Sequence, residues 1–223
     1  MDDIFNYEHP FVCTDAVVFT IKMQEPDSYR KLPEASLRIL LYKRTAEPHK
    51  NKWCLPGGFL NIDEAPEDNI RRKISEKSYV DKCYLEQLYT FCDLERDPRA
   101  RVISISYLGL MNEVESMEYE SKAVWFDVNT ISESDLGFDH YNIIKIALER
   151  LQSKIHYTDM VFSLLPAEFT LTQLQNVYEA ILGKKELAAN FRRKVIDMVG
   201  ETDHYTSDKG HRPAKLYRKK VSQ

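Results

Sequence analysis

Hydrophobic and polar positions in the first 160 residues alternate in blocks that predict a β-sheet. β-Branched residues are concentrated in Val12–Ile21 and Leu37–Arg44, and a polar, proline-containing connection separates these two segments. Arg101–Met111 alternates between apolar and polar positions as a half-buried strand does, and Ala123–Val128 does so over a shorter length. We therefore predict four strands in this part of the chain.

Two helices are predicted beside these strands. Pro66–Ser78 has a proline near its start, acidic residues in its first turn and a lysine in its last. Asp139 could cap the second helix, whose apolar residues recur at helical spacing. They are Ile143, Ile146, Ala147, Leu151 and Ile155.

The composition changes at the proline-marked joint Ser163–Thr170, after which the pattern becomes helical. Thr170–Gly183 begins with a capping box and ends at a glycine, so it is predicted to be a helix. A second helix is predicted over Glu186–Val199, and a glycine-centred turn in His204–Lys220 predicts a β-hairpin. The predicted core face of the second helix is Leu187, Phe191, Val195 and Met198. We expect one domain over residues 1–160 and a smaller one over residues 161–223.

Charge is distributed unevenly over a chain of 223 residues with a net charge of −4. Residues 164–223 carry 11 Lys and Arg against 7 Asp and Glu, whereas the remainder carries 20 against 28. A basic tail on an acidic body is expected if only the tail meets a polyanion, although ordinary surface variation gives the same asymmetry. We found no apolar run of about 18 residues, no secretory signal and no CxxC pair, so we expect a cytoplasmic protein with reduced thiols and no membrane contact.

Gly57–Val80 resembles the Nudix box, G-x5-E-x7-R-E-U-x-E-E-x-G-U, in which U is apolar. Gly58, Glu64, Arg72 and Glu76 fill the glycine, the first glutamate, the arginine and one later glutamate. The frame is specific, and the resemblance covers roughly residues 10–155. It implies a loop and helix that hold a divalent cation against a diphosphate.

The chain departs from the box at the positions that bind the metal. Lys73 and Lys77 replace two glutamates, and Tyr79 replaces the second glycine. Lys73, Glu76 and Lys77 share one helix face, where each ammonium opposes a divalent ion. We therefore expect hydrolysis to be lost or severely weakened and assign no metal and no catalytic residue, with Glu64 and Glu76 as residual candidates. Mg²⁺ would be required only if the chain were a hydrolase.

Arginines and aromatic residues near the box are the candidate ligand-binding residues. In Nudix proteins that act on ADP-ribose, an acidic-Pro-Arg segment comparable to Asp93–Tyr107 shapes the ligand side of the groove, and arginine donates bidentately to phosphate. The alternative is a solvated loop with ordinary ion pairs or, for the aromatic residues, core packing. The candidates are Arg44, Trp53, Phe59, Arg96, Arg99 and Arg101.

The tail has the residue types that a helix-turn-helix with a hairpin wing uses to bind DNA. Such proteins set a second helix in the major groove, where asparagine pairs with adenine and arginine with guanine or phosphate. A solvated basic terminus is the alternative. The candidates on the helix are Ala189, Asn190, Arg192, Arg193 and Lys194, and those on the wing are Lys209, His211, Arg212 and Lys215.

Together the two halves resemble the Nudix-related transcriptional regulators. The resemblance implies an α+β chain, in which a Nudix α/β/α sandwich with a mixed sheet precedes a small winged helix-turn-helix domain. It also implies a homodimeric repressor that binds a double-stranded DNA operator and responds to a small-molecule effector, which is ADP-ribose in regulators of NAD metabolism or a sugar in some relatives. Two other readings stay open at this point. The chain could be a Nudix hydrolase of ADP-ribose or another nucleoside diphosphate, or its tail could bind protein.

Overall fold

Seven strands within the described part of residues 11–127 form one sheet. The structure is a computed structural model and describes residues 6–24, 34–78, 83–112, 123–207 and 213–220. The sheet order is β3-β2-β1-β6-β5, with β4 paired to β1 and β7 paired to β2. The strands are β1 (Phe11–Gln24), β2 (Glu34–Lys43), β3 (Trp53–Cys54), β4 (Gly57–Phe59), β5 (Tyr84–Phe91), β6 (Val102–Leu110) and β7 (Ala123–Asp127).

Strand β1 lies at the centre of this sheet, and its sequence explains why. Ala16, Val17, Val18 and Phe19 form a continuous apolar run, and all four are fully buried. A run without polar alternation requires cover on both faces of a sheet. Its register with β4 opposes Asp15 to Gly57, and this pairing fixes the loop that precedes the first helix.

The helices follow the sequence pattern closely at most of their ends. α1 spans Pro66–Ser78, as predicted, and packs on β4 and β7. α3 spans Leu171–Leu182, with Thr170 and Gln173 forming the predicted capping box at its start and Gly183, whose φ is 64°, capping its end. The remaining helices are α2 (His140–Lys154) and α4 (Ala188–Val195), with short 3-10 helices at Val128–Thr130, Glu133–Asp135 and Met160–Leu164.

Three predictions about these elements were wrong in detail. α4 is shorter than the predicted Glu186–Val199, and Leu187, predicted to face the core, is 75% exposed because it lies before the first turn. Met198 follows the helix and is half-buried. Strands β3, β4 and β5 were not predicted.

The chain folds as two compact units. The described part of the first consists of residues 6–18, 39–78, 83–109 and 123–147, and that of the second consists of residues 19–24, 34–38, 110–112, 148–207 and 213–220. In the second unit, β8 (Val199–Tyr205) and β9 (Lys215–Lys219) form an antiparallel hairpin. Among the described residues, no helix is both long enough and apolar enough to cross a membrane.

Candidate functional site

Residues 57–65, the glycine loop, begin with β4 and approach β1 so closely that only glycine fits at position 57. A Cβ on Gly57 would lie 2.3 Å from Asp15 Oδ1 and 2.3 Å from the carbonyl oxygen of Thr14. Asn69 on α1 holds the same region, because its amide donates to the carbonyl of Phe59 and its Oδ1 accepts from the hydroxyl of Thr14. The glycine loop, β1 and α1 are therefore fixed relative to one another.

The two glutamates that match the box are both held by Arg72. Its guanidinium donates to Glu64 through Nε (2.8 Å) and Nη2 (2.7 Å), and to Glu76 through Nη1 (2.7 Å). Hydrogen bonds from Arg72 and then Asn69 lower the pKa of Glu64 to about 2, and the bond from Arg72 lowers the pKa of Glu76. Both groups are carboxylates at neutral pH, but arginine already engages them.

The two lysines of the box extend back toward the glycine loop. Lys77 Nζ donates to the carbonyl oxygen of Gly57 at 2.7 Å and lies 3.7 Å from the ring centroid of Tyr42. The side chain of Lys73 lies against Gly58, where a Cβ would be 2.8 Å from Lys73 Cε, and its ammonium is 3.1 Å from Glu76. Burial lowers the pKa of Lys77 to about 8.

This donor set does not fit the magnesium ion of a Nudix box. Mg²⁺ requires hard oxygen ligands, usually including free carboxylates. Here ammonium groups stand at two of the carboxylate positions, and Glu76 is shared between Arg72 and Lys73. Within the described ranges there is no cluster of three or more His, Cys, Asp or Glu side chains that could hold a metal ion.

A cavity of about 150 Å³ adjoins the glycine loop, and its wall combines arginines and aromatic rings with the carboxylates of Asp15 and Asp97. The guanidinium carbon of Arg99 lies 5.5 Å from the ring centroid of Phe59 and 5.7 Å from that of Phe138. The guanidinium carbon of Arg44 lies over the same ring of Phe138, 5.0 Å from its centroid. These distances allow cation–π attraction, which holds the guanidinium groups in place. Tyr42 and Gly57 also line the cavity.

Arg96 lines this cavity but belongs to a buried ion-pair network. It is 7% exposed and donates to both carboxylate oxygens of Asp139, at 3.0 and 2.8 Å, with Asp15 at 3.5 Å. Asp15 also accepts from Ser104 at 2.6 Å, and its Oδ1 lies 3.8 Å from Nε2 of His140. Burial lowers the pKa of His140. Asp139 precedes α2, as expected, and its carboxylate binds Arg96.

The other candidate ligand residues lie in different settings. Arg101 donates to the carbonyls of Cys92 and Asp93. Trp53 packs edge to face on Phe126, with ring centroids 4.6 Å apart. It lines neither this cavity nor a second, neighbouring one. The second cavity, about 710 Å³, shares Arg96 and Phe138 with the first. The candidate pocket therefore brings together Arg44, Phe59, Arg96 and Arg99.

Several site residues were missed by sequence reasoning. Asp15 lies within an apolar strand, and Phe138 adopts a left-handed backbone conformation with a φ of 55°. Neither residue belongs to a local sequence motif. Asp97 positions Arg99 through hydrogen bonds of 2.9 and 2.7 Å, and the DPR sequence that contains both was a usable signal. His140, at the start of α2, accepts a hydrogen bond from the Leu55 amide at 3.1 Å.

In the second unit, α3 and α4 pack through two aromatic rings. Tyr178 and Phe191 meet edge to face with centroids 5.2 Å apart, and both are buried. The turn between the helices is held by Glu179, whose Oε1 accepts from the Glu186 amide and from Gln175, both at 2.9 Å. Lys185 lies 3.2 Å from the same carboxylate.

The solvent face of α4 has the predicted DNA-binding residues. Ala189, Asn190, Arg192 and Arg193 are exposed, and Arg193 Nη2 donates to Asn190 Oδ1 at 2.5 Å. Lys194 is exposed too, and its Nζ lies 5.0 Å from the ring centroid of Tyr178. The polar residues of this face are thus exposed to solvent.

The hairpin continues from α4 and is tied back to the segment before α3. Phe169 and Tyr217 exchange two backbone hydrogen bonds, of 2.9 and 2.8 Å. Lys215 pairs with Glu201 across the hairpin at 2.5 Å. The other wing candidates, Lys209, His211 and Arg212, lie outside the described residues.

Family models match both parts of the chain. Residues 32–145 match the NUDIX domain, and residues 161–219 match the NrtR DNA-binding winged helix domain. The "ADPR responsive transcriptional repressor NtrR" of Acinetobacter baylyi is 34% identical over 222 residues, which span 96% of this chain and 83% of the relative. The "ADP-ribose pyrophosphatase" of Methanocaldococcus jannaschii is 31% identical over 141 residues, 62% of this chain and 73% of the relative.

Solved structures extend the match to the whole fold. Shewanella oneidensis NrtR complexed with a 27mer DNA has a TM-score of 0.78 at 34% identity, covering 94% of this chain and 93% of that one. The NUDIX domain of the same protein complexed with ADP ribose has a TM-score of 0.54 at 31% identity, covering 67% of this chain and 94% of that one. The predicted fold, a Nudix domain with a mixed sheet followed by a winged helix, is confirmed. The chain belongs to the Nudix-related transcriptional regulators.

Proposed function

We propose that this chain is a transcriptional repressor that binds operator DNA through α4 and the hairpin and responds to ADP-ribose bound in the Nudix domain. The exposed Asn190–Arg193 face of α4 carries this proposal, because a helix-turn-helix uses such side chains to read base edges in the major groove. The relatives named for DNA binding and for ADP-ribose response support it.

The cavity of the first unit is the proposed effector site. Arg44, which donates to neutral carbonyls, and Arg99, whose side chain stays 43% exposed beside Asp97, supply guanidinium groups for a diphosphate. Phe59 and Phe138 supply apolar faces for a base or ribose. Arg96 would act mainly by positioning Asp15 and Asp139, since its donors already face those carboxylates. We retain Arg101 and Trp53 as weaker candidates for contact with the ligand.

The Nudix domain is proposed to bind ADP-ribose without hydrolysing it at an enzymatic rate. Lys73 and Lys77 stand at carboxylate positions, and Arg72 engages both Glu64 and Glu76. Similarity to an archaeal pyrophosphatase keeps hydrolysis as the second candidate function. Mg²⁺-dependent AMP release that Glu76→Gln abolishes would support hydrolysis.

The assembly is proposed to be a homodimer with a domain boundary between residues 160 and 161. A dimer would present two copies of α4 to a palindromic operator. The winged-helix match, which begins at residue 161, supports the boundary. A regulator of this kind acts in the cytoplasm. Lys209, His211, Arg212 and Lys215 are proposed to contact phosphates from the wing.

Fluorescence polarisation with a labelled duplex from the chain's own upstream region tests this function. We expect duplex binding that weakens as salt increases, because protein contacts to DNA phosphates release counter-ions. We also expect ADP-ribose to weaken this binding. Lys145→Ala removes an exposed lysine of α2 and serves as the control variant. Absence of duplex binding at low salt would remove the DNA-binding proposal, and binding that ADP-ribose leaves unchanged would remove the effector.

A further inference from the structure

Two lysine side chains of α1 border the cavity at its glycine loop. Lys77 Nζ contacts the carbonyl of Gly57 and the ring of Tyr42, both of which belong to residues that line the cavity. Lys73 crosses Gly58, which lines it as well. The two ammonium groups are thus held by specific contacts beside the proposed diphosphate position.

These contacts use oxygen atoms that would otherwise suit a divalent cation. A backbone carbonyl oxygen is a hard ligand of the kind that Mg²⁺ accepts. The carbonyl oxygen of Gly57 instead accepts a hydrogen bond from the ammonium group of Lys77. Glu76 faces Arg72 on one oxygen and Lys73 on the other. A divalent ion entering this position would meet positive charge before it met a free carboxylate.

The same replacement makes the site attractive to an anion. In a metal-dependent site, carboxylates hold a cation, which in turn holds the phosphate oxygens. Exchanging two carboxylates for two ammonium groups reverses the sign of the fixed charge, so phosphate can be attracted directly. Arg44, on the same cavity, donates to the neutral carbonyls of Glu47 and Pro48, so its charge also favours an anion.

We infer that Lys73 and Lys77 act as covalently attached counter-ions for the diphosphate of the effector, so that effector binding requires no divalent metal. This inference rests on the proposed diphosphate effector in this cavity. It assigns the lysines a role in binding, whereas a purely structural role would confine them to holding the glycine loop.

Titration calorimetry of the full chain with ADP-ribose, in excess EDTA and in excess Mg²⁺, tests the inference. We expect dissociation constants within about twofold of each other, and affinity lost in EDTA would overturn the inference. Lys77→Met keeps an unbranched side chain over Tyr42 but removes the charge, and we expect it to weaken binding about tenfold. Unchanged affinity in this variant would mean that the lysine is only structural.

A charge-reversed variant gives the complementary result. In Lys73→Glu/Lys77→Glu, binding in EDTA should fall by about a hundredfold and recover in part with Mg²⁺, because carboxylates again stand where a cation can bridge to phosphate. Lys145→Glu carries the same charge change on an exposed face of α2 and should bind as the parent does. Thermal unfolding checks that each variant folds, and Lys77→Met decides the question if the double variant does not.

ADP is the second probe, because it carries a diphosphate without the second ribose. If ADP-ribose fails to bind in either buffer, the effector assigned in the proposed function is wrong. ADP binding that is EDTA-resistant and sensitive to Lys77→Met would still support the counter-ions. If neither compound binds, the inference falls together with the effector.

Discussion

Tyr178 on α3 and Phe191 on α4 meet edge to face, with ring centroids 5.2 Å apart. Phe191 is 1% exposed, and the contact holds α4 with its polar residues outward. We expect Phe191→Ala to lower the free energy of unfolding by about 3–5 kcal/mol, since it removes a buried ring and leaves a cavity. Chemical denaturation followed by circular dichroism measures this loss. A loss below about 1 kcal/mol would contradict the packing.

Leu187 immediately precedes α4 and should behave in the opposite way. Because its side chain is largely exposed, Leu187→Ala should change the free energy of unfolding by no more than about 0.5 kcal/mol. The start of the recognition helix meets base edges in helix-turn-helix proteins, so the same variant should weaken operator binding. Loss of stability in Leu187→Ala would instead support the core position predicted from sequence.

Asn190 should contribute to sequence selectivity more than to overall affinity. We expect Asn190→Ala to reduce the preference for operator over random duplex by about 1–3 kcal/mol, because it loses a bidentate contact to adenine. Competition polarisation with both duplexes measures the ratio. Lys145→Ala should leave it unchanged, and equal weakening on both duplexes would identify Asn190 as a phosphate contact.

Arg96 and Arg99 should separate stability from ligand binding. Arg96→Met leaves the carboxylates of Asp15 and Asp139 without their guanidinium, so we expect a loss of about 3–5 kcal/mol in unfolding free energy. Arg99→Ala takes a half-exposed guanidinium away from the buried carboxylate of Asp97 and should cost about 1–3 kcal/mol, less than Arg96→Met, yet weaken ADP-ribose binding by about tenfold.

Arg99→Lys is the matched control for that comparison. It keeps the charge but loses the planar fork, so it should recover only part of the affinity. Thermal unfolding and calorimetry measure the two effects separately. If Arg99→Ala binds ADP-ribose normally, Arg99 does not contact the ligand.

Glu64 should stabilise the fold in a pH-dependent way. Its pKa is about 2 in the folded chain against 4.5 as the ordinary value, so its contribution is complete above about pH 4.5 and is lost as pH falls towards 2. The melting temperature of the parent should therefore exceed that of Glu64→Gln at neutral pH, with a gap that narrows in acid. Asp63→Asn, which removes an exposed carboxylate of the same loop, is the control. A gap that is constant with pH would contradict the role of Arg72.

Local pattern predicted the elements whose signal is contained within them. The proline, acidic first turn and final lysine marked α1 at Pro66–Ser78, and Thr170 with Gln173 marked the start of α3. Strand β5 was missed because its sequence, YLEQLYTF, mixes exposed, half-buried and buried positions without clean alternation. The end of α4 was overestimated because apolar residues continue beyond it at helical spacing.

The role of Arg96 could not have been derived from local sequence. Its partners Asp15 and Asp139 lie 81 and 43 positions away, and only the sheet and the start of α2 bring them together. Arg99 differs, because its partner Asp97 is two positions away. The sequence therefore identified candidate residues by their type. The fold was needed to tell which of them have a structural role and which are candidates to face the ligand.

The carboxylate of Glu179 has a consequence for the thermodynamics of DNA recognition. Although burial opposes its ionisation, hydrogen bonds from the Glu186 amide, Gln175 and Lys185 keep its pKa low, so the turn before α4 is clamped at neutral pH. A helix that is already oriented loses little conformational entropy when it docks. We therefore expect association without the large negative heat-capacity change that accompanies coupled folding. In Glu179→Ala the turn is no longer clamped, so we expect the conformational entropy cost of ordering α4 to fall on the binding step.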